Sequence, residues 1–153
     1  MIFITVGTTE FDALLRKIDK LVETKRISNE IIAQIGNGKY VPKHIKYFRF
    51  AKSLLPFFKK AKLIISHAGA ATIFECLILK KQLIVIENPN VRRAATWFLK
   101  ELYDKNYIIW CNHIDQLLEC IESANTIQLN NYRSPKCTIS EKILDFLLQK
   151  SDL

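Results

Sequence analysis

Two glycine turns hold the residue types in this chain best suited to chemistry. One lies in Ile64–Thr72, I-I-S-H-A-G-A-A-T, where His67 and Gly69 stand between an apolar run and a segment of helical period. If a strand gives way to a helix there, the N–H groups of Gly69, Ala70, Ala71 and Thr72 point out of the helix start. The helix dipole then favours an anion, and His67 can donate a hydrogen bond to it. Small side chains matter at such a turn, because a bulky one keeps a diphosphate off the backbone. Glu75 follows the glycine by six residues, where a carboxylate can accept from the two hydroxyls of a ribose. The second turn is Gly7-Thr8-Thr9, directly after the apolar run Ile2–Val6. Its glycine permits close backbone approach, and free N–H groups can bind an anion. Each turn also has a plainer reading. Thr8 or Thr9 can simply cap one helix and Ser66 or Thr72 the other, with His67 a satisfied bystander and Glu75 a surface carboxylate.

These turns work together only if the fold brings them to one edge. Short apolar runs alternate with helical periods along most of the chain, the pattern of a parallel α/β sheet. Strands are predicted at Ile2–Val6, Glu30–Ile35, Ile45–Phe50, Leu63–Ser66, Leu83–Ile86 and Tyr107–Cys111. The face Phe11, Leu14, Leu15, Ile18, Leu21, Val22 predicts a first helix, and further helices are expected near Leu54–Ala61, Ala70–Leu79, Arg93–Lys105, Ile114–Ala124 and Ser140–Gln149. The polar stretch Thr126–Thr138, with Pro135, reads as a loop or crossover. In such a sheet ligands bind outside the carboxyl ends of the strands, where both glycine turns fall.

The length of 153 residues and 49% hydrophobic content suit one compact domain over 1–153. No run reaches the roughly 20 apolar residues of a membrane span, and the first residues lack the basic start and cleavage site of a signal peptide; a cytoplasmic chain is the expectation. Cys76, Cys111, Cys120 and Cys137 show no C-x-x-C spacing and read as reduced structural cysteines. The net charge of +8 is concentrated: residues 39–62 hold Lys39, Lys43, Lys46, Arg49, Lys52, Lys59, Lys60 and Lys62 and no acidic residue. That block is either a solvated face or an attraction to an anionic membrane, a phosphorylated ligand or an acidic partner. No nucleic-acid module is present, and Tyr40, Tyr47, Phe48 and Phe50 sit in strand-like context rather than on an exposed platform, so no nucleic-acid partner is expected.

Taken together, V-G-T-T-x-F-D at 6–12, Q-I-G at 34–36, Y-F-x-F at 47–50 and I-S-H-A-G-A-A-T-x-x-E at 65–75 resemble one family. It is the glycosyltransferase C-terminal-domain family that includes the peptidoglycan N-acetylglucosaminyltransferase, and order and length resemble its small stand-alone members. The likeness covers roughly residues 1–110. It implies a Rossmann-like parallel sheet with helices on both faces, equivalent to the donor-binding C-terminal half of the two-domain GT-B fold. Carried over by position, it puts a UDP-sugar against Gly7, Thr8 and Thr9, its diphosphate against His67, Gly69, Ala70, Ala71 and Thr72, its ribose on Glu75 and its uracil beside the backbone of Phe50 and Ala51.

The resemblance further implies a donor-binding catalytic subunit. It would transfer a sugar, N-acetylglucosamine by family likeness, from UDP to a lipid-diphosphate-linked sugar acceptor with inversion and without a metal or other cofactor. The acceptor-binding half would be a separate membrane-anchored subunit that holds this chain at the cytoplasmic face. Two departures stand out. Ala71 replaces a usual glycine, and where relatives commonly carry an Asp-Asn-His-Gln type segment this chain reads Asn90-Val91-Arg92-Arg93-Ala94-Ala95-Thr96. Either a different sugar is bound, or Arg92 and Arg93 contact the phosphates, or the chain is a non-catalytic UDP-sugar-binding or stabilising subunit.

Overall fold

Strands that are apolar at every position, rather than at every second one, need cover on both faces, and the computed structural model supplies it. It describes residues 1–90 and 97–149. Six strands form one parallel sheet: β1 (Ile2–Thr5), β2 (Ile31–Gln34), β3 (Lys46–Phe48), β4 (Leu63–His67), β5 (Gln82–Ile86) and β6 (Ile109–Cys111), in the order β3-β2-β1-β4-β5-β6. The helices are α1 (Asp12–Glu23), α2 (Leu55–Lys60), α3 (Ala70–Ile78), α4 (Trp97–Asp104), α5 (Leu117–Ser123) and α6 (Ile139–Gln149). A short 3-10 turn, Ile114–Gln116, leads into α5.

Alternation along each strand sorts the core into two layers. Ile2, Ile4, Ile65, Ile84 and Ile86 pack with Leu14, Leu15 and Ile18 of α1 and Leu117 and Ile121 of α5. Phe3, Ile64, Leu83 and Val85 face Phe58 of α2, Ile73 and Leu77 of α3, and Leu99 and Leu102 of α4. The expected elements are thus present, with helices on both faces. The first residues expected in α4, from Arg93 to Thr96, lie outside the described residues.

The third strand is shorter than its apolar run suggests. The last ladder bond to it is donated by the Ile35 N–H to the Phe48 carbonyl, 2.9 Å. Phe48 stacks on Phe57, with centroids 4.6 Å apart. Phe50 lies past the strand and is 53% exposed, and Tyr47 is 45% exposed. The expected strand context thus holds for Tyr47 and Phe48 but not for Tyr40 or Phe50, which lie outside β3, and Tyr47 is exposed all the same because β3 is an edge strand.

Helices α1, α3 and α4 end alike at the amino side of the sheet. Lys25, Lys80 and Asn106 take left-handed φ of 56°, 53° and 55°. After α3, for example, the N–H of Lys81 donates to the Cys76 carbonyl and that of Lys80 to the Leu77 carbonyl, both 3.0 Å. This paired bonding is a Schellman ending, usually built on glycine. The four glycines, Gly7, Gly36, Gly38 and Gly69, instead all follow strands at the opposite, carboxyl side.

The stretch between α5 and α6 is an extended connection, as expected; its Tyr132 packs on Phe74 and Tyr107. Beyond it, α6 presents Ile139, Ile143 and Leu144 to solvent. No helix among the described residues is long and apolar enough to cross a membrane.

Candidate functional site

The strand order reverses between β1 and β4, so the crevice of a doubly wound sheet opens at their carboxyl ends. Thr5 pairs with Ser66 across the two strands, which sets the turn after β1 directly opposite the turn after β4.

The β1 turn is self-contained. Gly7 takes φ of 60°, and its N–H donates to the Thr5 hydroxyl at 3.2 Å. That hydroxyl donates in turn to Gln34 Oε1, 2.6 Å away in the core. The Thr9 hydroxyl donates back to the Val6 carbonyl at 2.7 Å. Helix α1 has no side-chain cap, so capping by Thr8 or Thr9 does not occur; a β-turn closed by Thr9 takes its place. Thr8 is exposed at the tip.

Opposite it, the Gly69 N–H donates to the His67 carbonyl at 2.7 Å. The expectation that Gly69 offers a free N–H is corrected, since that tight turn around Ala68 uses it. Ser66 also turns away, donating to the His67 carbonyl at 2.8 Å, and no side chain caps α3. The first-turn N–H groups of α3, those of Ala70, Ala71 and Thr72, are left by helix geometry without an intrahelical acceptor. Ala70 and Ala71 are exposed, so the positive end of the helix is open to an anion.

The His67 ring fills the space between the two glycines. A Cβ on Gly7 would lie 3.1 Å from its Cε1, and one on Gly69 would lie 3.1 Å from its Nε2. Burial pushes the imidazole below the usual histidine range, with the Thr5 backbone acting the other way. No well-formed hydrogen bond reaches its buried Nδ1 among the described residues. At neutral pH the ring is therefore uncharged and donates from one nitrogen only. Glu75 is exposed in the second turn of α3, and Phe50 and Ala51 are exposed beyond β3. Arg92 and Arg93 lie outside the described residues.

A further layer, whose roles sequence reasoning missed, stands behind the β1 turn. Gly36 takes φ of 52°, and the Asn37 N–H donates to the Thr9 carbonyl at 3.2 Å. Nη1 of Arg49 donates to the carbonyls of Gly36 and Gly38 at 3.0 and 2.9 Å. Asp12 Oδ2 accepts from the N–H groups of Lys39 and Tyr40. Two turns down the same helix, buried Asp19 accepts from the Tyr40 hydroxyl and the N–H groups of Lys43 and His44. A G-x-G pair after β2, at the same sheet edge as the other turns, was the signal available in the sequence. On the other flank, buried Asn88 donates to the Glu10 carbonyl at 2.6 Å, joining the β5 turn to the approach of α1.

Comparison with known proteins agrees with this fold. The family model of the glycosyltransferase family 28 C-terminal domain matches residues 1–148. The human UDP-N-acetylglucosamine transferase subunit ALG13 is 33% identical over 138 residues, which cover 82% of this chain and 12% of that protein. The mouse protein of the same name is 29% identical over 159 residues, 90% of this chain and 13% of its own. The chain thus spans about an eighth of the curated relatives it matches. Among solved structures, Acinetobacter baumannii MurG superposes with a TM-score of 0.70 at 17% identity, over 97% of this chain and 49% of MurG. The solution structure of ALG13 superposes with a TM-score of 0.60 at 18% identity, covering 94% of each chain.

Proposed function

This chain belongs to the glycosyltransferase family 28 C-terminal domain family, and from that premise we propose that it is the donor-binding catalytic subunit of a two-part transferase. It moves a sugar, N-acetylglucosamine on the strength of the ALG13 likeness, from UDP to a lipid-diphosphate-linked sugar. The observation that carries the reading is the uncapped start of α3 set opposite the Gly7–Thr9 turn, with the His67 ring between them.

In this reading the diphosphate lies against the N–H groups of Ala70, Ala71 and Thr72, with Gly69 giving close backbone approach. Gly7, Thr8 and Thr9 close over it from β1. Charge developing on the leaving UDP is offset by these fixed dipoles and by a hydrogen bond from His67, so no metal is called on. Inversion follows if the acceptor hydroxyl attacks the anomeric carbon directly, and its general base is assigned to the partner. Glu75 accepts from the ribose hydroxyls, and the backbone at Phe50 and Ala51 borders the uracil. The acceptor half is a membrane-anchored subunit that holds this chain at the cytoplasmic face of the membrane. The exposed apolar residues of α6 support such a partner, since an apolar face of this kind favours association.

The test is calorimetry of UDP and UDP-N-acetylglucosamine with the wild-type chain and Glu75→Ala. Glu75 is exposed, so the variant should fold normally and lose UDP affinity by roughly tenfold, the scale of a charge-assisted hydrogen bond. Failure to bind either ligand by the wild-type chain and by the reconstituted pair would rule the reading out. The altered Asn90–Thr96 segment favours a second reading, a subunit that holds UDP-sugar without turnover. Binding without transfer in the reconstituted pair would select it.

A further inference from the structure

We propose that Arg49 is a positioning residue for the donor site, holding the Gly7–Thr9 turn in place through the Gly36–Gly38 turn behind it; this rests on the functional reading above. Arg49 belongs to a basic stretch that looks from sequence like one solvated face. Its neighbour Lys46 pairs with Glu30 at 3.0 Å, an ordinary surface ion pair. Arg49 does something different. The two hydrogens of one nitrogen, Nη1, go to two backbone carbonyls, those of Gly36 and Gly38. Because a guanidinium is planar and its donors are fixed in direction, two bonds from it set the separation and tilt of both carbonyls.

What those carbonyls belong to gives the contact its consequence. A Cβ on Gly36 would sit within 2.7 Å of both the Thr9 and the Gly7 carbonyl oxygens, so the two turns touch backbone to backbone. The Asn37 N–H adds a hydrogen bond to the Thr9 carbonyl. On the far side the Gly38 N–H donates to the Ile35 carbonyl at 3.0 Å, and a Cβ on Gly38 would lie 2.7 Å from Asp12 Oδ1. The turn is thus wedged between α1 and the β1 turn, and Arg49 closes its open side. Displacing Gly36 necessarily displaces Thr9 or Gly7, whose neighbour across the crevice is the His67 ring.

Arg49 also stands immediately before Phe50 and Ala51, the segment assigned to the base. A single side chain therefore fixes the distance between the backbone that meets the diphosphate and the backbone that meets the uracil. Such second-layer support matters because a site held loosely by even an ångström loses much of its binding and rate.

The experiment compares wild type, Arg49→Ala, Arg49→Lys and a control, Lys52→Ala, by two readouts. Amide hydrogen exchange without ligand reports the brace itself at Asn37 and Gly38, with the β4 amides as the measure of global stability. Calorimetry with UDP reports the site. For Arg49→Ala the expected result is at least tenfold faster exchange at Asn37, unchanged exchange in β4 and at least fivefold weaker UDP binding. Lysine, which keeps the charge and donors but not the fixed directions of the guanidinium, should recover only part of each, and Lys52→Ala should match wild type. If Arg49→Ala does not fold, Arg49→Gln carries the same comparison. Exchange or affinity within twofold of wild type overturns the proposal. Weaker UDP binding without faster exchange also overturns it, by making Arg49 a direct ligand contact. Wild type that binds no UDP either alone or in the reconstituted pair defeats the parent reading and the positioning role with it, while the exchange arm still reports whether the brace exists.

Discussion

A Cβ on Gly36 would stand 2.4 Å from the carbonyl oxygen of Thr9. No side chain fits that gap, and the left-handed φ at Gly36 adds backbone strain for any L residue. Gly36→Ala should lower stability by at least about 2 kcal/mol in urea denaturation. Gly69→Ala is the contrast. Its φ is ordinary, and the atom it would meet at 3.1 Å is the His67 ring rather than backbone. It should cost about 1 kcal/mol or less and weaken UDP binding instead. Equal losses of stability in the two variants would contradict the backbone contact described for Gly36.

Stability should fall with acid in two stages. Burial holds the His67 imidazole below its usual value of 6.5, so the unfolded chain takes up that proton first. Its contribution is full above pH 6.5 and is lost as pH falls through the lower folded value. At Asp19 burial opposes ionisation, but the bonds from Lys43, Tyr40 and His44 outweigh it and leave the carboxyl below its usual 3.8. That contribution is full above pH 3.8 and disappears as pH falls further. His67→Gln should flatten the first stage and leave the second. Asp19→Asn should flatten the second, with about 1–3 kcal/mol less stability at pH 7. Thermal unfolding from pH 3 to 8 measures both, and an unchanged slope below pH 6.5 in His67→Gln would refute the assignment.

The Schellman endings at Lys25 and Lys80 carry left-handed strain that glycine would relieve. Against this, glycine raises the entropy of the unfolded chain, leaving a net gain of about 0.5 kcal/mol. Lys80→Gly should therefore raise the melting temperature by roughly 2 °C, with UDP affinity unchanged because the position is on the amino side of the sheet. A lower melting temperature would show that Lys80 makes compensating contacts.

Much of this was readable in the sequence, for identifiable reasons. A parallel strand buried on both faces is apolar throughout, so β1, β4 and β5 announce themselves, and glycines after β1 and β4 mark where the backbone must come close. The end of β3 was hidden because the run Tyr47-Phe48-Arg49-Phe50 stays aromatic past the last ladder bond. The hydroxyls of Thr9 and Ser66 looked like helix caps by position. Both find a carbonyl in their own turn instead, a competition that spacing does not reveal. Arg49 was invisible as an individual because its acceptors lie 11 and 13 residues upstream, and only the folded G-x-G turn brings them to it. The two glycine turns and Glu75 were candidates by residue type and spacing, whereas Phe50 and Ala51 entered through the family resemblance alone.

Asp12 and Asp19 are spaced by two turns of α1, and between them they grip the chain from Lys39 to His44 at both ends. A stretch with neither helix nor strand is thereby given a measured length, as a strap is by two buckles. Surface connections ordinarily absorb insertions and deletions with little loss, but this one would not. Removing a single residue between Tyr40 and Lys43 would unhook one aspartate or drag β3 out of register. Relatives of this chain that vary in loop length should therefore vary elsewhere, leaving the number of residues between these two anchor points unchanged.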